Sequence, residues 1–136
     1  MYMTGETNLS KLLQNMKPEL NAGEYVFCLF DSLEAGLAHD PICLFQEQEG
    51  TTAILSRQNA DAANIEYPST YAWITLTVHS SLEAVGLTSA VARALTEANI
   101  SCNVVAAYYH DHLFIPTKDA QRAMVELQAL TGENHE

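Results

Sequence analysis

Two short polar clusters contain most of the side chains in this sequence that could do chemistry. The first is the run His79-Ser80-Ser81-Leu82-Glu83, which joins an apolar strand-like segment to a helix-like one. Its Ser80-x-x-Glu83 spacing fits a capping box, in which the hydroxyl accepts from a first-turn amide and the carboxylate reaches back to the cap amide. Helix N-termini also favour anions, so these amides, a serine hydroxyl and the Gly86 backbone could hold a ligand carboxylate, with Glu83 facing the ligand ammonium.

The second cluster is His110-Asp111-His112. Histidines at i and i+2 can project from one side of a strand, and Asp111 could add a ligand. Metal sites take three or four ligands, however, and only His79 could be brought close by folding to supply another one. We therefore expect a tight hairpin turn with polar tips and no metal or other cofactor, and His110 and His112 are weak metal candidates.

Signatures of catalysis are missing from the sequence. It has no phosphate-binding GxxxxGK[ST], no GxGxxG and no GxSxG elbow. Glu47 and Glu49 flank a predicted turn, where a solvated tip is expected and not an acid–base pair. Ser81 and His79 have no third group to orient them. We therefore expect a protein that is not an enzyme.

Composition narrows the possible partners. The 136 residues include 17 acidic and 6 basic side chains, for a net charge of -11, and 48% are hydrophobic. The chain is therefore globular, and its charge disfavours nucleic acid and anionic membranes, which bind Lys and Arg clusters. The three cysteines, in no metal-binding spacing, and the absence of a signal-peptide pattern or a ~20-residue apolar run predict a cytoplasmic protein with free thiols.

The elements follow one another closely along the chain. The first half predicts a short helix over 9–16 that Pro18 stops, strands over 25–30, 42–45 and 51–55, and a weak helix over 57–64. The second half predicts an alternating strand over 71–79, a long helix before residue 99, and a strand over about 102–108. A reversal at 110–112, a strand over 113–115 and a helix capped by Thr117 and closed by Gly132 complete it.

The second half thus reads β-α-β-β-α, which is a ferredoxin-like unit without its last strand. Strand 25–30 is the expected donor of that strand, so we expect two interleaved halves. The predicted organisation is a helical leader (1–20), a first, incomplete half (21–68), a second half (69–132) and a polar tail (133–136).

The run GLTSAVARALTEANISC (86–102) resembles the core pattern of ACT domains, which are ferredoxin-like modules that commonly bind amino acids and regulate metabolic enzymes. Its glycine begins the helix, Val91 and Leu95 supply the aliphatic positions, and Glu83 matches a common acidic residue. It departs from the pattern at Val85, where proline is common, and at Thr88, where leucine is common.

Over about residues 9–131 the chain is similar to a small bacterial family described as tandem ACT-like. This resemblance implies an α+β fold of two interleaved ferredoxin-like (βαββαβ) halves, with antiparallel sheets and helices on one face. The resemblance to ACT domains implies a regulatory module that senses an amino acid at the junction around 79–87. The expected ligand-binding residues are His79, Ser80, Ser81, Leu82, Glu83, Val85, Gly86, Leu87 and Asn103.

A mixed sheet face favours an alternative function. Aromatic and polar side chains alternate with core residues on strand 71–79, and such a face suits a partner surface. The alternative is therefore a ligand-free interaction or oligomerisation module, and in either case we expect a homo-oligomer, most simply a dimer. The expected interface residues are Tyr71, Trp73, Thr75, Val105 and Tyr109.

Overall fold

A computed structural model describes residues 8–78 and 85–132 as short helices and antiparallel strands. The helices in these ranges are α1 (Leu9–Asn15), α2 (Leu33–Leu37), α3 (Arg57–Ala62), α4 (Leu87–Glu97) and α5 (Ala120–Leu130). The strands are β1 (Pro18–Leu20), β2 (Tyr25–Phe30), β3 (Cys43–Gln46), β4 (Thr51–Ser56), β5 (Tyr71–Leu76), β6 (Asn103–Ala106) and β7 (Asp111–Pro116). A 3-10 turn over Thr117–Asp119 precedes α5.

The chain forms two compact units, of which the central unit is continuous and comprises residues 22–72. It contains β2, α2, β3, β4 and α3 in chain order, followed by the first residues of β5. Strand β4 lies between β3 and β2, and β2 also pairs with the start of β5 through Tyr25 and Tyr71. Every pair is antiparallel, which gives the β-α-β-β-α-β arrangement of a ferredoxin-like unit.

The terminal unit comprises residues 1–21 and 73–136 and therefore comes from both ends of the chain. It contains the rest of β5, then α4, β6, β7 and α5, while β1 pairs antiparallel with β5 from Pro18↔Leu76 to Leu20↔Ile74. Its strands lie in the order β1-β5-β7-β6. The last strand of this second ferredoxin-like unit thus precedes the rest of it in sequence, and the predicted interleaving of two halves is confirmed.

The predicted donor of the missing strand was wrong. Strand β2 pairs along its whole length with β4, from Tyr25↔Ser56 to Phe30↔Thr51, and β1 fills the position beside Trp73–Leu76. Pro18 had been interpreted only as the end of a helix. A proline is tolerated as the first residue of a strand, where its missing N–H breaks no ladder bond, and three residues are too few for a periodic signal.

Each unit has its own hydrophobic core between the helices and one face of the strands. In the terminal unit α1, α4 and α5 bury Leu12, Val91 and Leu127 against Ile74 and Leu76 of β5. The alternation predicted for β5 is confirmed, because Ala72, Ile74 and Leu76 are buried and the residues between them are half-buried. The core of the central unit is formed by Val26, Cys28, Ala53, Leu55 and Ala60.

Helix α2 is an element that the sequence analysis did not predict. Ser32 caps it by accepting a hydrogen bond from the amide of Ala35 at 3.1 Å. Five residues are too short to show a helical period. Thr117, expected to cap the last helix, instead begins the 3-10 turn, and Asp119 is the N-cap residue of α5.

The three cysteines are free thiols. Burial raises the pKa of the Cys28 thiol and raises that of Cys102 to about 11, so both are protonated at neutral pH. None of the helices in the described ranges has the length and apolar character needed to cross a bilayer.

Candidate functional site

Helix α4 begins at the junction where a ligand was expected. Its N-cap residue is Gly86, with φ +102° and ψ -16°, and the Gly86 carbonyl accepts from the Ala90 amide at 2.8 Å. This left-handed backbone favours glycine. Because glycine has no side chain, Gly86 offers no side-chain acceptor to the first-turn amides of α4. The predicted run from His79 to Glu83, with its Ser80 capping box, lies outside the described residues.

The neighbours of Gly86 point in different directions. Val85 is 83% exposed, whereas Leu87 is buried in the core of the terminal unit. Leu9 of α1 lies on the other side, since a Cβ at Gly86 would be 3.2 Å from its Cδ2 atom. Val85 and the backbone of Gly86 are therefore the parts of this junction, within the described residues, that face outward.

Asn103 lies on the sheet and not at this junction. It pairs with Phe114 across β6 and β7, and its Nδ2 donates to the Phe114 carbonyl at 3.1 Å. The Phe114 ring stacks with Trp73, at 6.3 Å between centroids. Asn103 therefore lies beside the stacked Phe114 and Trp73, whereas the junction follows the end of β5 at Leu76.

The sheet face of the terminal unit turned away from its helices, called here the open face, carries a connected polar network. Nε1 of Trp73 donates to Nδ1 of His112 at 3.0 Å, and Oγ1 of Thr75 lies 3.3 Å from the same nitrogen. Nδ2 of Asn21 donates to Oγ1 of Thr75 at 3.0 Å and to the Trp73 carbonyl at 3.1 Å. Val105, paired with His112, shares this face.

Of the expected interface residues, Trp73, Thr75 and Val105 therefore lie together. Tyr71 is in the central unit, where its ring contacts that of Phe27 edge-on at 5.1 Å. Tyr109 lies in the turn after β6, half to two-thirds exposed like its neighbour Tyr108, whose ring it meets at 5.0 Å.

The predicted reversal at His110-Asp111-His112 was misplaced. The turn spans 107–110, closed by the bond from the Ala107 amide to the His110 carbonyl at 3.0 Å, and Asp111 and His112 belong to β7. The strand predicted over about 102–108 therefore extends too far, because Ala107 and Tyr108 belong to the turn. Asp111 is only 7% exposed, and burial raises the pKa of its carboxyl group, against the opposing effect of His112 and His110.

This arrangement does not bring the three side chains to one point. Asp111 alternates with His112 along β7, so the carboxylate lies on the helix-covered face and the imidazole on the open face. His110 places Nδ1 3.4 Å from the Val78 carbonyl. Within residues 8–78 and 85–132, no three His, Cys, Asp or Glu side chains are grouped so that they could hold a metal ion.

The central unit has a concave surface of its own that sequence reasoning missed. A cavity of about 570 Å³ is lined by Ala22, Gly23, Glu24, Tyr25, Ser56, Arg57, Gln58 and Asp61. Arg57 donates from Nη1 to Glu24 Oε1 at 2.7 Å and lies 3.5 Å from Asp61, and the hydrogen bonds to Glu24 and Tyr67 raise its pKa. Because these two carboxylates offset its charge, Arg57 is not available as a free cation for an anionic ligand.

These two units define the chain as a tandem ferredoxin-like α+β protein. Two family models, both described as ACT domain, match residues 4–72 and 69–129. The chain therefore belongs to the ACT-domain family, with two such domains in tandem. No curated protein matches it.

Solved structures share this architecture. A Vibrio cholerae protein of unknown function, described as a possible transport protein, is 48% identical with a TM-score of 0.83, over 90% of this chain and 95% of that one. The ligand-free regulatory subunit of aspartate kinase from Thermus thermophilus is 10% identical with a TM-score of 0.66, over 87% and 97%. Escherichia coli aspartokinase III with aspartate and ADP is 15% identical with a TM-score of 0.62, over 88% and 35%.

Proposed function

We propose that this protein is a regulatory sensor that binds an amino acid at the junction around residues 79–87 of the terminal unit. Its family supports the coarser part of this proposal, because ACT domains are in general regulatory, non-catalytic modules that bind amino acids. The observation that carries the site is Gly86 at the start of α4. A glycine N-cap leaves the amides of an eleven-residue helix without a side-chain acceptor from that residue.

The chemistry expected there follows from those amides. A ligand carboxylate accepts from the first turn of α4, where the helix dipole also favours negative charge. Glu83 then faces the ligand ammonium, and Ser80 and Ser81 add hydroxyl groups. Such a ligand regulates a partner only through different affinities for two states of the protein. We place this activity in the cytoplasm and in a homodimer.

Thermal unfolding with each of the twenty amino acids tests the proposal. A ligand at 100 times its dissociation constant adds about 2.7 kcal/mol of stability. At ~2–4 °C per kcal/mol, the matching amino acid should raise Tm by roughly 5–10 °C. If none of the twenty changes Tm, amino-acid sensing is wrong for this chain.

Substitutions at two exposed valines test where the ligand binds. Val85→Trp places an indole beside Gly86 without entering the core, and should abolish the ligand-dependent rise in Tm. Val125→Trp is the matched control, since Val125 is a 63% exposed residue of α5. A full ligand response in Val85→Trp would place the amino acid elsewhere, for instance in the cavity beside Arg57.

Exposed apolar side chains favour the alternative function, an interaction module. On the strand face of the central unit turned away from its helices, Leu29 and Phe45 are each 68% exposed and flank Thr52 across the β2–β4–β3 ladder. Apolar side chains that adjoin on a surface are typical of a partner site. Sedimentation velocity at increasing concentration, compared with Phe45→Ser, tests whether this face associates with a second copy.

A further inference from the structure

The hydrogen bond between Trp73 and His112 determines which nitrogen of the imidazole carries the proton. An indole N–H can only donate. Because Nε1 of Trp73 lies 3.0 Å from Nδ1 of His112, that nitrogen is the acceptor. The imidazole is therefore neutral in this arrangement, and its hydrogen is on Nε2.

Thr75 offers a second partner to the same nitrogen. Its Oγ1 lies 3.3 Å from Nδ1 of His112 and also accepts from Nδ2 of Asn21 at 3.0 Å. A hydroxyl oxygen has two lone pairs and can accept again. When Nδ1 is protonated, it can donate to Thr75, whereas its bond with the indole N–H is lost because both groups are then donors.

We propose that Trp73, His112 and Thr75 form a pH-operated switch on the open face of the terminal unit. In the neutral state, Trp73 donates to His112. In the protonated state, His112 donates to Thr75 and the Trp73 indole N–H is released. The open face thereby gains a positive charge at His112, which changes what it can bind.

The residues that contact His112 from β5 and β6, and Asn21 behind Thr75, carry no charge. Glu19 of β1 pairs with Thr75 and therefore shares the open face, but it is not among the groups that shift the pKa of His112. His110 and Asp111 are the charged or titratable neighbours within the described residues. Burial and His110 lower the pKa of His112, and Asp111 opposes them, so the transition lies on the acidic side of 6.5.

The only tryptophan of the sequence gives a direct measurement. The position of the indole N–H signal in ¹H–¹⁵N NMR spectra, followed from pH 8 to pH 5, should shift through one transition, at the midpoint at which the His112 ring titrates. The transition should vanish in His112→Gln, whose side chain does not titrate. It should persist in His39→Gln, because His39 belongs to the central unit and stacks on Phe30.

Trp73→Phe provides an independent test through the ring signals of His112. Removing the indole donor withdraws a hydrogen bond from the neutral imidazole, so the His112 midpoint should move to higher pH. An unchanged midpoint in Trp73→Phe would overturn the switch. So would a His112 transition in the wild type that leaves the indole signal in place, or an indole transition that survives in His112→Gln. Amino-acid binding at the junction is not involved, so the two proposals fail separately.

Discussion

Leu9 lies against Gly86, so the first helix of the chain contacts the residue that begins α4. A Cβ atom at Gly86 would lie 3.2 Å from Cδ2 of Leu9, and the φ of Gly86 is +102°. Two separate requirements therefore select glycine here, the left-handed backbone and the close approach of Leu9. This contact connects the N-terminal segment to the proposed amino-acid site.

Gly86→Ala should destabilise the protein, because alanine is strained in the left-handed backbone conformation and its Cβ atom displaces Leu9. The backbone term is roughly 1–2 kcal/mol. Gly132→Ala is the matched control, since Gly132 has φ +90° with no atom within 4 Å of the added Cβ among the described residues. Chemical denaturation should show a larger loss for Gly86→Ala than for Gly132→Ala. Equal losses would mean that Leu9 moves aside freely.

Leu12 should be as important to stability as a residue of the main core, although it lies in the segment predicted to be a leader. Its side chain is 0% exposed and packs in the cluster of α4 and α5. Leu12→Ala should cost about 2–5 kcal/mol. Leu9→Ala, at a 36% exposed position of the same helix, should cost clearly less. If the two variants unfold at the same denaturant concentration, α1 is not part of the folded unit.

Sequence patterns predicted the elements that have a local cause. Strand β2 was predicted at its observed bounds because Gly23-Glu24 precedes a continuous apolar run from Tyr25 to Phe30. The alternation of β5 identified its core face. The resemblance to ACT domains predicted the glycine that begins α4. Strand β1 could not be, because its three residues become a strand only by pairing with β5.

The network on the open face depends in the same way on distant partners. Trp73 and His112 are 39 residues apart, and their hydrogen bond exists only in one register of β5 against β7. Nothing in the local sequence of either residue predicts it. The misplaced turn has a local cause instead. Tyr108 and Tyr109 have strand propensity but occupy the tip of the hairpin.

Asp111 should reduce stability at neutral pH. Burial raises the pKa of its carboxyl group above the ordinary 3.8. The folded protein therefore holds this proton more tightly than the unfolded chain, and stability falls as pH rises from 3.8 through the raised pKa, by about 1.4 kcal/mol for each unit of pKa difference. Asp111→Asn should be more stable than wild type at pH 7. It should lose that advantage below pH 4.

His112 should give stability the opposite pH dependence to that of Asp111. Its lowered pKa means that the unfolded chain binds the proton more readily, so stability falls as pH drops below 6.5 and levels off below the folded pKa. In the wild type, the Asp111 carboxylate opposes this lowering of the His112 pKa, and Asp111→Asn removes that opposition. Asp111→Asn should therefore lose more stability between pH 7 and pH 5 than the wild type does. A parallel pH dependence of the two proteins, measured by denaturation, would contradict these assignments.

Arg122 joins the end of α4 to the start of α5. Its Nη1 lies 2.8 Å from Oδ1 of the nearly buried Asp119, and its Nη2 donates to the carbonyl of Ala98, the C-cap residue of α4. Arg122→Met keeps the apolar stem but leaves the Asp119 carboxylate without this partner, which should cost about 1–3 kcal/mol.

Arg122→Lys should recover only part of that loss, because a compact ammonium group cannot reach both oxygens with the geometry of a planar guanidinium group. Arg93→Met, at an exposed position of α4, is the control for losing a positive charge from an acidic protein. Urea denaturation should rank the wild type and Arg93→Met first, Arg122→Lys next and Arg122→Met last. If Arg93→Met and Arg122→Met are equally destabilised, net charge accounts for the effect and the link between the two helices does not.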